Sequence, residues 1–165
     1  MTRTARTTRL VWIACLLGLI HAAFSLYWAG GGRWLLNTVG QWAVELARQS
    51  PQQAAWFLLL IALLKAAAAI IPLLNAQGRM PWPKLWRAIS WVGSVFLMLY
   101  GGVNTLTAWA VLAGVVRVAS FDRASLLGHG ALWDPLFFLW GLFLTLHLLQ
   151  TRRGRTPSRS LFDQN

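Results

Sequence analysis

The sequence predicts an all-α integral membrane protein: a four-helix bundle with a short interfacial amphipathic helix between spans one and two. Three observations predict it. Apolar residues make up 57% of the 165-residue chain and charged residues only 12%, where a soluble domain of this size usually carries about 25%. The mean hydropathy is +0.53, so one globular core could not hide these side chains. Four apolar runs reach membrane-spanning length, and the basic residues gather in alternate connecting segments.

The first run follows a basic, acid-free segment, residues 1–9. It extends over about 10–30, longer than the apolar core of a signal peptide, and reads as a retained span. Glycines at 30–32 break it. In the stretch from Trp34 to Gln49, Leu35, Val39, Trp42 and Leu46 form one helical stripe and Asn37, Gln41, Glu45 and Arg48 the opposite one. The segment is too polar to span. It reads as a helix in the outer interface with Trp34 and Trp42 at headgroup level.

Ser50-Pro51-Gln52-Gln53 has the pattern of a capping box with proline at the first helical position. Span two covers about 54–74, and Pro72 falls in its last turn. The loop after it is basic and proline-rich, with Trp82 and Trp86 as interface anchors. Span three covers about 87–114, with Ser90, Ser94, Gly101 and Thr105 spaced for close helix packing. Span four covers about 126–149 and contains Asp134-Pro135. Residues 10–150 thus form one transmembrane domain. Residues 151–165 are polar and basic and read as a disordered tail.

A net charge of +11 could signal nucleic-acid binding. Its distribution signals topology instead. Arg3, Arg6, Arg9, Arg79, Lys84, Arg87, Arg152, Arg153, Arg155 and Arg159 fall on one side of a four-span protein; Arg33, Arg48, Arg117 and Arg123 fall on the other. The positive-inside rule then puts both termini in the cytoplasm of a cell membrane. The expected partners are the lipid bilayer and, at the basic segments, anionic lipid headgroups, with no nucleic acid.

The single cysteine, Cys15, excludes an internal disulfide and reads as a small apolar core residue. No zinc-protease, nucleophile-elbow, Walker or dinucleotide motif occurs. The scattered histidines and carboxylates have no metal-ligand spacing. No cofactor, metal or catalytic residue is expected.

What remains is a layer of polar residues at depth. At 1.5 Å per residue, His21, Lys65, Asn104 and Asp134 lie roughly 12–17 Å below the outer face. A lone ammonium there costs about 2.5–3.5 kcal/mol. Helical side chains lean toward the helix N-terminus, so Lys65 reaches outward, and an ion pair with Asp134 is the simplest expectation. Tyr100 lies one turn from Asn104, and His129 sits at the lip of a cavity. Bland readings stand beside these. Asp134-Pro135 is also a helix-cap signature that would put Asp134 at the surface. His21 can bond a neighbouring carbonyl, Asn104 can join helices, and Lys65 can snorkel outward. His147 reads as interfacial.

Several of these residues also carry a resemblance: His21 followed by Tyr27-Trp28-Ala29-Gly30-Gly31, Tyr100-Gly101-Gly102, Gly128-His129 leading to Leu132-Trp133-Asp134-Pro135, and Trp140-Gly141. Over about residues 10–150 the chain resembles the small bacterial membrane proteins of domain-of-unknown-function family 3995. The resemblance implies four spans and no assigned activity.

Three functions fit. The polar layer is structural in a non-enzymatic membrane protein, or it is the site of a small-solute or proton-coupled transport subunit, or it serves a membrane enzyme acting on a lipid or quinone. Four spans are few for a transporter, so the second would require a homo-oligomer. The third lacks an evident nucleophile.

Overall fold

The computed structural model describes residues 3–152, with side chains described for 8–151. The basic tail from 153 onward, and the side chains of Arg3, Arg6 and Arg152, lie outside the described residues.

The described chain is helical: α1 (Arg3–Ala29), α2 (Gln41–Gln49), α3 (Pro51–Ala76), α4 (Pro83–Leu112), α5 (Arg123–Gly128) and α6 (Asp134–Arg152). A short 3₁₀ turn spans Leu36–Thr38, and a π turn spans His129–Trp133 between α5 and α6. Four helical stretches are long and apolar enough to cross a membrane: Thr8–Ala29, Pro51–Ala76, Pro83–Leu112 and the continuous Arg123–Thr151. This is the multi-pass membrane bundle that hydropathy predicts.

The helices are not symmetrically arranged. α1 packs against both α3 and α6, while α4 packs chiefly on α6 and touches α3 little. The order across the bundle is α3, α1, α6, α4. Toward the end of the bundle where α1 begins, Val11, Ala14 and Cys15 of α1 meet Ala69 and Leu73 of α3 and Trp140, Leu144 and Leu148 of α6. Toward the opposite end, Trp28 and Trp133 pack with Leu36 and Ala43. About 39% of the most apolar part of α1 and of the α5–α6 helix is buried, against 17% for α3 and α4. The latter two therefore present most of their apolar surface outward, as helices facing lipid do.

Glycine permits the close approach of α4 and α6. A Cβ on Gly101 would collide with the Asp134 carbonyl, and one on Gly141 would lie 2.5 Å from the Ser94 carbonyl. Ser90 and Ser94 are buried on the same α4 face and turn their hydroxyls back to the Trp86 and Trp91 carbonyls. Small residues spaced along one face serve as the sequence leads one to expect.

Three local expectations are corrected. The stripe from Leu35 to Leu46 is not one helical face, because Leu35 and Gly40 adopt positive φ and the helix starts only at Gln41. The buried face of α2 is Ala43 with Val44 and Ala47, while Trp34 and Trp42 stay exposed. Ser50 makes no side-chain cap to α3; its N–H closes α2 on the Leu46 carbonyl instead. Span four begins at Arg123, earlier than about 126, because Asp122 accepts from the N–H groups of Ala124 (2.9 Å) and Ser125 (3.3 Å).

Candidate functional site

Asp134 lies inside the spanning helix and is 1% exposed, so it is not a surface cap. The π turn before it explains how Asp134-Pro135 fits mid-helix. Asp134 N–H bonds the His129 carbonyl, five residues back. The next carbonyl, of Gly130, would look to residue 135 in the same pattern, but proline has no N–H. Trp109 of α4 supplies the missing donor, its indole Nε1 lying 2.9 Å from the Gly130 oxygen. A helix irregularity forced by proline is thus sealed from a neighbouring helix.

The same turn brings two titratable groups together. On a regular helix, residues five apart point about 140° away from each other. Through the π turn, His129 Nδ1 reaches Asp134 Oδ2 at 2.9 Å. The other ring nitrogen, Nε2, lies 3.1 Å from the Val39 carbonyl. Both partners are acceptors, so the geometry suits a ring donating from both nitrogens. Trp133 adds a second tie to the loop between α1 and α2, its indole donating to Thr38 Oγ1 at 3.0 Å. Thr38 in turn donates to the Leu35 carbonyl at 2.6 Å.

Lys65 belongs to a different cluster. Its Nζ lies 3.1 Å from His21 Nδ1 and donates to Ser25 Oγ at 3.0 Å. It also sits 5.4 Å from the centre of the Phe137 ring, within cation–π range. The expected Lys65–Asp134 ion pair does not form. The helix order gives the reason: α3 packs on α1, so the nearest polar groups are on α1, and Asp134 is taken by His129. Ser25 stands one turn beyond His21 along α1, toward the end of the bundle where α3 begins.

The polar layer is therefore divided. His21, Ser25 and Lys65 stand at the α1–α3 contact. Tyr100, Asn104, His129 and Asp134 line a cleft of about 230 Å³ between α4 and the α5–α6 helix, with Thr107, Ala108 and Leu126. Aromatic rings separate the two. The His21 ring lies 3.9 Å from that of Phe137 and 5.8 Å from that of Trp133, centre to centre. Trp133 continues the aromatic wall to Phe24 and Trp28. No side-chain hydrogen bond joins the two clusters among the described residues.

His147 is buried in the protein near the C-terminal end of α6. It lines a cavity of about 320 Å³ with Lys84, Arg87 and Thr151, where Arg87 bridges to Thr151 Oγ1 (2.7 Å) and the Leu148 carbonyl (2.6 Å).

Sequence reasoning missed Ser25, Thr38, Trp109, Trp133 and Phe137. Ser25 was findable, since it lies one turn after His21 on the same face. The others act through a loop fold and a π turn that no local pattern announces.

A family model described as "Protein of unknown function (DUF3995)" matches residues 18–144, a range that contains both polar clusters. Neither the curated proteins nor the solved structures give a match.

Proposed function

The chain belongs to the DUF3995 family of proteins of unknown function, and we propose that it is a non-enzymatic, multi-pass protein of the bacterial cell membrane whose polar residues at depth act as two structural clips. One clip, Lys65 with His21 and Ser25, joins α1 to α3. The other, His129 with Asp134, joins the spanning helix to the outer loop. Both termini are cytoplasmic, as the basic segments require, and those segments draw anionic headgroups.

The observation that carries this is the double engagement of His129. Its two ring nitrogens meet a carboxylate and a backbone carbonyl, so neither is available to take a proton from a substrate as a general base would. That counts against a lipid or quinone enzyme. The aromatic wall of Phe137 and Trp133 between the clusters counts against a proton or ion path through them.

Reversible unfolding in mixed detergent, read as a double-mutant cycle, tests it. Lys65→Met and His21→Leu should couple by about 1–3 kcal/mol, and Lys65→Met and Asp134→Leu by less than about 0.5 kcal/mol. A Lys65→Met protein that unfolds like the parent but loses proton or solute flux in vesicles would overturn the structural reading in favour of transport.

A further inference from the structure

The cleft between α4 and the α5–α6 helix contains an acceptor that the fold does not satisfy. Asp134 is 1% exposed, and its Oδ2 is held by His129. Its Oδ1 is buried and has no hydrogen-bond partner among the described residues. An acceptor left in that state loses its solvation without a replacement bond, a cost that is larger on a charged group. The imidazole and indole donors nearby are committed elsewhere. His129 is engaged at both nitrogens, the Trp109 indole is committed to Gly130, and the Trp133 indole to Thr38.

The cleft that Asp134 lines is open, and its α4 wall is polar. Tyr100, Asn104 and Thr107 follow one another at helical spacing on that wall. The surroundings are apolar. Phe96, Leu99, Val103 and Leu106 of α4 are exposed beside it, and Phe96 stacks on Tyr100 with ring centres 5.8 Å apart. Anything entering from this side comes out of the hydrocarbon. Asp134 Oδ2 already has a polar partner in the His129 ring, and no lysine or arginine lines the cleft. What Oδ1 lacks is one neutral donor.

We propose that this cleft is a binding site for an uncharged amphiphile that presents a hydroxyl group. The hydroxyl donates to Asp134 Oδ1 in a short charge-assisted bond. Asn104 and Tyr100 flank the head, and the apolar body lies along the exposed face of α4 around Phe96. The π turn is what makes the site, because it turns the carboxylate toward His129 and holds it rigid. Such turns recur at functional positions.

The probes are 4-nonylphenol and its methyl ether, which share shape and apolarity but differ in the one donor. Equilibrium binding of each, radiolabelled, is measured on the full chain in nanodiscs and corrected with protein-free nanodiscs. The phenol should bind about tenfold or more tightly than the ether, and Asp134→Leu should abolish that preference. Asn104→Leu changes the cleft wall without touching the His129–Asp134 contact; it should weaken the phenol several-fold with unfolding unchanged, which keeps the test valid if the Asp134 variant fails to fold. Equal binding of phenol and ether, no saturable binding of the phenol, or full binding by Asn104→Leu would overturn the site. None of these outcomes alters the Lys65–His21 coupling, so the two proposals fail separately.

Discussion

Trp109 shows how one side chain can stabilise a backbone irregularity it does not belong to. Its indole meets the Gly130 carbonyl that Pro135 leaves without a donor. Trp109→Phe keeps an aromatic ring but loses the pyrrole half of the indole with its N–H, so it should cost about 1–3 kcal/mol. Adding Pro135→Ala restores a backbone donor five residues from Gly130, and the Phe variant should recover part of that loss in the same unfolding assay. Equal stabilities of Trp109→Phe with and without Pro135→Ala would contradict the assignment. At this scale the sequence was half legible. Depth along each helix places His21, Lys65, Asn104 and Asp134 near one level, because rise per residue is fixed. Partner choice was not legible, because it depends on which helices are adjacent and on a π turn that rotates Asp134 relative to His129.

Among the elements, the contact of α4 with α6 is the tightest to read. Gly101 and Gly141 each sit where a Cβ would strike the facing backbone, whereas Gly93 meets nothing within 4 Å. Gly101→Leu should therefore destabilise by about 1–3 kcal/mol or more, and Gly93→Ala should stay within about 0.5 kcal/mol of the parent. Similar melting of the two variants would mean that the helices are not apposed at Gly101. The loop between α1 and α2 depends on α5 and the π turn before α6. His129→Leu removes the donor to Val39 and should speed amide exchange over residues 36–40 by about tenfold, while leaving α3 unchanged. Apolar length and turn residues made the four spans legible. The interfacial helix was legible in kind but not in face, because Leu35 and Gly40 take positive φ and reset the phase of the pattern.

For the whole molecule, the uneven burial of the spans carries the argument. α1 and the α5–α6 helix make the core, and α3 and α4 flank it with their apolar faces turned out. Leu63, Leu64, Val92 and Leu106 are each at least 60% exposed, so exchange among apolar side chains there should leave stability nearly unchanged. Topology is checked with single cysteines, since native Cys15 is buried. A membrane-impermeant maleimide added to intact cells should label Ala119→Cys and not Gln77→Cys, and the reverse labelling would invert the orientation. Composition and apolar length made the multi-pass architecture legible at this scale. The order of the helices across the bundle was not, because each span is apolar on nearly every side.

The π turn has a consequence for insertions and deletions. A π turn holds one residue more than the α turn it replaces. Between His129 and Trp133 the spanning helix thus carries a residue that its hydrogen-bond ladder can spare. Elsewhere in α6, deleting one residue would swing every position beyond it by about 100° and pull Trp140, Gly141 and Leu144 off their neighbours. Deletion of Ala131 combined with Pro135→Ala can instead be absorbed as a regular α turn, the alanine removing the ring that would otherwise meet the Gly130 carbonyl four residues back. The helix below keeps its face, and His129 comes to stand four residues before Asp134 in place of five. With Pro135 relieved, tolerance to a one-residue deletion should therefore extend from the loops into five residues of a helix in the bundle core.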